Sequence, residues 1–199
     1  EIFERTGLIY RLDRFIWELA VQQLAKWQKE GRDELYISVN ISTKDFQYMD
    51  VYQTITSLVE RYGIIPSTLK LEITETAIMM GNAGELETIG RFRNYGFEVE
   101  IDDFGSGYSS LNTLKDIDVD VLKIDMGFLR TTRSERVERS MSILNMIISL
   151  SKILGLSVVT EGVETKDQVS RLSQMGCGVY QGYYFSKPIP VHEFEERYM

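Results

Sequence analysis

Two periodicities alternate along the chain. Runs rich in Val, Ile, Leu and Tyr recur at 34–42 (ELYISVNIS), 69–74 (LKLEIT), 97–102 (FEVEID), 119–125 (VDVLKID), 156–162 (LSVVTEG) and 178–185 (GVYQGYYF). Short apolar runs of this composition predict strands. Between them the apolar positions recur at helical spacing. Leu12, Phe15, Ile16, Leu19, Leu24 and Trp27 predict one buried helix face ahead of the first strand. Met141, Leu144, Ile148, Ser151 and Leu154 predict another.

Local punctuation agrees with this division. Asp50 with Gln53, Asn82 with Glu85 and Thr165 with Gln168 have the spacing of a helix-opening capping box. Gly63, Gly96, Gly155 and Gly176 follow the helical runs as stops. Strands alternating with helices predict βα units and a parallel sheet. The Gly-Ser-Gly of residues 105–107 lacks the third glycine of a dinucleotide fingerprint and follows two carboxylates, which disfavours a nucleotide-binding Rossmann sheet. The expected fold is α/β, a TIM-like (β/α)8 barrel represented here by about six parallel strands.

The alternation also sorts polar side chains. Leu69, Leu71 and Ile73 share one strand face, which leaves Lys70 and Glu72 on the other. Val99 and Ile101 leave Glu98, Glu100 and Asp102 on the other face of their strand. Applied to all six runs, the rule places Asn40, Glu72, Asp102, Lys123, Glu161 and Gln181 near the carboxyl ends of the strands, on the inward side. That end of a barrel carries the active site.

"IDDFGSGYSS" (101–110) sets two carboxylates side by side, where like charges repel. Asp102 ends the strand facing inward. The glycines that follow are expected to bend the chain and swing Asp103 to the same side. Two such carboxylates, with Asn and Glu oxygens nearby, suit hard divalent cations such as Mg²⁺, Mn²⁺ or Ca²⁺ in preference to zinc. Two ions ~4 Å apart form the clamp used in phosphodiester hydrolysis. One layer below, Lys70 and Glu100 are expected to pair, because a buried glutamate needs a cation.

Composition narrows the field. The formal net charge of −8 disfavours a nucleic-acid polymer or an anionic membrane surface as partner. Cys177 is the single cysteine, so no disulfide forms within the chain, which fits a reducing compartment and a cytoplasmic location. His192 is the single histidine and sits in a charged segment expected at the surface. The chain opens on Glu1, and it reads as a piece of a longer protein.

The motifs VNIS, LEITE, DDFGSGYSS, LKID, EGVET and QGYYFSKPIP occur in this order over the chain. Together they resemble the EAL-domain phosphodiesterases that hydrolyse cyclic di-GMP. The resemblance implies linearisation of cyclic di-GMP to 5′-pGpG with Mg²⁺ or Mn²⁺, and inhibition by Ca²⁺. Asn40, Glu72 and Asp102 resemble direct metal ligands, and Asp103 a ligand of the second ion. Glu161 resembles a residue that holds a water at the metals. Lys123 resembles the lysine that contacts and activates the attacking water, and Gln181 a residue near the substrate. Glu75 resembles the glutamate that braces the loop 104–119, through which the family couples metal binding to dimerisation.

The Glu-Ala-Leu signature itself is not in the sequence, and neither is the arginine that follows it in the family. Residues 1–199 are therefore read as one EAL domain incomplete at its N-terminus, with sensory or GGDEF cyclase modules elsewhere in the parent chain. A second reading is a receptor that binds cyclic di-GMP without cleaving it. A third, an aldolase-like barrel with Lys123 as Schiff-base lysine, is disfavoured because surrounding carboxylates keep a lysine protonated.

Overall fold

The six expected strands all form and follow one another in chain order. They are β1 (Ile37–Ile41), β2 (Leu69–Thr74), β3 (Val99–Phe104), β4 (Val121–Ile124), β5 (Ser157–Thr160) and β6 (Val179–Tyr180). The structure is a computed structural model and describes residues 8–106, 117–129 and 134–199. β1–β2, β2–β3 and β5–β6 pair in parallel. The intervening helices are α1 (Ile9–Lys29), α2 (Thr43–Tyr48), α3 (Val51–Tyr62), α4 (Glu75–Met80), α5 (Ala83–Tyr95), α6 (Ser134–Ile153), α7 (Lys166–Gln174) and α8 (Val191–Tyr198). Two compact units divide the chain, Glu1–Leu122 and Lys123–Met199.

In the first unit the apolar alternation does what it predicts. Leu69, Leu71, Ile73, Val99 and Ile101 are all buried, with Ile55 of α3 and Phe92 of α5. Asn82 caps α5 with a complete capping box, its side chain accepting from Glu85 N while Glu85 returns a bond to Asn82 N. Asp50 caps α3 by accepting from Gln53 N, but the Gln53 amide turns to Ser57 Oγ and does not close the box. At the start of β4, Arg93 grips Asp120 through Nε and Nη2, and Asp120 Oδ2 in turn accepts the backbone N–H of Val99. That fork ties the end of α5 to the first residue of β3.

The face that α1 buries differs from the expected one. Trp17, Ala20, Val21, Leu24 and Trp27 are buried, whereas Phe15, Ile16 and Leu19 are 58%, 46% and 46% exposed. The helix carries two apolar stripes, and periodicity alone does not rank them. The indole N–H of Trp17 decides: it donates to the carbonyl oxygen of Asn40 at 3.0 Å, which a buried Trp requires.

In the second unit Leu144, Ile148 and Ser151 of α6 are buried as the sequence predicts, while Leu154 lies past the helix and is 40% exposed. Thr165 and Gln168 form the expected capping box at α7. Cys177 is buried beside Thr160, with the hydroxyl and thiol 3.3 Å apart. The last strand is shorter than the sequence suggests. β6 ends at Tyr180, and the chain then folds tightly on Val163, whose N–H donates to Gln181 O while Tyr184 N donates to Val163 O. A Cβ at Gly182 would lie 2.2 Å from Val163 O, so the glycine is needed for this close approach.

Candidate metal and catalytic site

In the first unit, Asn40 and Glu72 are ladder partners on β1 and β2. Parallel partners project to the same side of a sheet, so the two side chains are neighbours. Glu72 is buried and Asn40 exposed. Both sit at the carboxyl ends of their strands, and the Trp17 indole holds the Asn40 carbonyl from behind.

Asp102 and Asp103 lie on β3, which continues to Phe104. In a regular strand their side chains would point to opposite faces. Asp103, however, has φ of 55°, and it is the one non-glycine residue with positive φ among the described residues. Aspartate tolerates the left-handed region better than most residues. The turn breaks the alternation, and oxygens of the two carboxylates come within 4.8 Å of each other. Gly105 is left-handed as well, with φ of 93°, as expected of the glycines after the strand, but the bend begins at Asp103 itself.

Glu75 opens α4 directly after β2 and is 5% exposed. Its Oε2 accepts the backbone N–H of Gly105 at 3.1 Å. Gly105 belongs to the loop 104–119 that Glu75 was expected to brace, and residues 107–116 of that loop lie outside the described residues.

Lys70 pairs as expected, with an additional partner. Its ammonium lies 3.4 Å from Glu100 Oε1, and 2.8 Å from Glu98 Oε1. The register explains the shorter bond. Glu72 is opposite Glu100, so two residues back Lys70 is opposite Glu98. The Tyr36 ring covers the ammonium at 3.9 Å, a cation–π contact. Burial works against the charge on Lys70. The hydrogen bond to Glu98 and the charges of Glu100 and Glu98 outweigh it, holding the ammonium's pKa above the usual lysine value. Glu98 belonged to the inward set read from the alternation, so the signal for it was present; the stagger between the strands was not.

In the second unit Lys123 of β4 and Glu161, just past β5, form an ion pair at 2.8 Å with side-chain exposures of 5% and 12%. The backbone N–H of Glu161 donates to Ile124 O at 3.0 Å, which fixes the carboxylate's position along β4. Gln181 lies one residue beyond β6, exposed, with its N–H donating to Thr160 O. His192 is exposed, as expected.

The side chains expected to hold a metal, Asn40, Glu72, Asp102 and Asp103, offer only oxygen atoms; the structure places Asn40 beside Glu72 and Asp102 beside Asp103. A set of one amide and three carboxylates suits Mg²⁺ or Mn²⁺ and offers nothing to a soft metal.

A model of the EAL domain family matches residues 1–188. The chain belongs to the EAL domain family. With the family comes its α/β, TIM-like barrel fold class, represented here by six strands. Among its relatives, this EAL chain is 33% identical over 190 residues to the bifunctional diguanylate cyclase/cyclic di-GMP phosphodiesterase MucR of Pseudomonas aeruginosa, covering 96% of the chain and 27% of the relative. It is 32% identical to the cyclic di-GMP phosphodiesterase RocR of the same organism, over 92% of the chain and 47% of the relative. It is 35% identical to the signaling protein YkoW of Bacillus subtilis, over 98% of the chain and 24% of the relative. The EAL chain thus spans between about a quarter and a half of the length of these relatives.

Solved structures agree. A MucR phosphodiesterase in complex with c-di-GMP superposes with a TM-score of 0.89 at 32% identity, covering 97% of this chain and 77% of that one. The EAL domain of Mycobacterium smegmatis DcpA gives 0.83 at 30% identity, over 93% and 82%. Among the described residues no helix is long and apolar enough to cross a membrane.

Proposed function

We propose that this EAL chain hydrolyses cyclic di-GMP to linear 5′-pGpG in a metal-dependent phosphodiester cleavage. The observation that carries the reading is the pair of adjacent carboxylates, Asp102 and Asp103, brought within 4.8 Å by the left-handed backbone of Asp103. Relatives named cyclic di-GMP phosphodiesterases support it.

Asn40, Glu72, Asp102 and Asp103 would hold Mg²⁺ or Mn²⁺. When bound, such ions supply Lewis acidity toward the phosphate oxygens and make water a better nucleophile. The chain's own groups do the rest. Glu161 orients the attacking water and accepts its proton. Lys123 holds Glu161 in place through their ion pair, and its ammonium balances negative charge gathering on the phosphoryl oxygens. The water oxygen bonds to phosphorus and the P–O3′ bond breaks. The 3′ oxygen leaves with a proton from solvent, giving one 5′-phosphate and one free 3′-hydroxyl. Gln181 contacts the substrate from the segment after β6. Glu75 holds the loop 104–119 at Gly105, and through that loop a homodimer contact. Ca²⁺ would occupy the same oxygens without supporting turnover. In the parent protein, a cytoplasmic location and sensory or cyclase modules complete this reading.

The test is direct. The full-length protein is incubated with cyclic di-GMP and Mg²⁺ or Mn²⁺, and linear product is followed by chromatography. Product formation that disappears in Asp102→Asn supports the proposal. Intact cyclic di-GMP bound without turnover by the wild-type protein rejects it in favour of a receptor.

A further inference from the structure

Glu72 and Glu100 are ladder partners on β2 and β3, so two buried carboxylates stand side by side. Asn40 flanks Glu72 from β1. By position and chemistry Glu100 would serve a divalent cation as well as Glu72 does. Its two oxygens are engaged elsewhere. Oε1 lies 3.4 Å from the Lys70 ammonium, and Oε2 accepts the Ser38 hydroxyl at 3.2 Å. Lys70 and Ser38 are ladder partners of each other, two residues before Glu72 and Asn40 respectively. Both tethers therefore draw Glu100 back along the strands, toward the layer behind Asn40 and Glu72. Like charges directly opposite on a sheet destabilise it, and the Lys70 ammonium offsets that cost. Glu98 at 2.8 Å and the Tyr36 ring hold the ammonium in place.

We infer that Lys70 is a positioning residue that withholds Glu100 from the metal donors and so sets their number and charge. The inference rests on Asn40, Glu72, Asp102 and Asp103 being those donors. Donor charge and count set the affinity of an oxygen site for a divalent cation. Releasing Glu100 adds one carboxylate beside Glu72 and tightens cation binding. A residue that served folding alone would not tighten binding when removed.

The experiment titrates Mn²⁺ into the full-length protein and reads free Mn²⁺ by electron paramagnetic resonance, without substrate. Lys70→Met is expected to bind Mn²⁺ at least about threefold more tightly than wild type. The double variant Lys70→Met/Glu100→Gln is expected to return to within about twofold of wild type, since the released group is no longer a carboxylate. Ser38→Ala cuts the second tether with little volume change and is expected to tighten binding by a smaller factor, which keeps the test open should Lys70→Met fail to fold. Unchanged or weaker binding in Lys70→Met or Ser38→Ala overturns the inference, as does a double variant as tight as Lys70→Met. A wild-type protein that binds no Mn²⁺ removes the donor assignment itself, whereas wild-type binding with unresponsive variants removes only the role of Lys70.

Discussion

The Glu75 carboxylate accepts the backbone N–H of Gly105 at 3.1 Å, two residues beyond Asp103. A part-buried bond from a backbone N–H to a carboxylate stabilises the fold by about 1.5–3 kcal/mol. Glu75→Ala is expected to lower stability by that amount in chemical denaturation, and to lower cyclic di-GMP turnover because the chain after Asp103 loses its anchor. Glu75→Gln keeps an acceptor oxygen and should retain most of both. Equal turnover in Glu75→Ala and wild type would show that the anchor does not reach the site.

Asp103 occupies a left-handed backbone conformation that few other side chains would tolerate. A side chain in the left-handed region costs ~1 kcal/mol or more unless it is glycine, asparagine or aspartate. Asp103→Gly and Asp103→Asn should therefore melt close to wild type, and Asp103→Ala below it. All three should lose hydrolysis, because each removes the second carboxylate. Thermal melts and product assays on the same samples separate the two effects.

Lys123 and Glu161 are both largely buried, at 2.8 Å. Removing one partner of a buried pair costs about 3–5 kcal/mol, because the other charge is left behind. Lys123→Met should show that loss in denaturant unfolding. Adding Glu161→Gln should recover part of the stability and none of the turnover. Recovered turnover in the double variant would exclude both residues from the chemistry.

Asp45 gives the protein a pH-dependent weakness. It is fully buried, and its Oδ2 accepts both the N–H and the hydroxyl of Ser42 at 2.7 Å. Burial pushes its pKa up, and hydrogen bonds from Ser42 and Asp13 offset only part of this. The folded state therefore holds the proton more tightly than the unfolded chain. The stability so gained is complete below the unfolded value of about 3.9, and it is lost as pH rises through the raised folded value. Asp45→Asn removes this dependence. Unfolding free energies of wild type and variant, compared from pH 4 to 7, should move in the variant's favour as pH increases; a constant difference would contradict the assignment.

The strands, their buried faces and most helix ends were legible in the sequence, because they depend on contacts within a few residues. Leu69, Leu71 and Ile73 alternate with Lys70 and Glu72, and no distant partner is needed to say which of these go inside. Asn82 and Glu85 cap a helix through bonds that span three residues. The short helix α2 was missed although Ser42 and Asp45 form a complete capping box; six residues are too few to show a helical period. The resemblance to the EAL family rested on motifs several residues long, each lying within one strand and its following loop.

The tertiary structure decided what local pattern leaves open. Which of two apolar stripes α1 buries depends on whether the Trp17 indole can reach Asn40 O, a contact across 23 positions of the chain. Whether Lys70 meets Glu98 or Glu100 first depends on the stagger of β2 against β3, which no alternation encodes. The direction of Asp103 follows from one backbone angle, set where β3 leaves the sheet under the hold of Glu75 on Gly105. Side-chain alternation is fixed by the geometry of a single strand. Register, strand exit and helix face are fixed by neighbours far away in sequence, and only the folded chain brings those neighbours together.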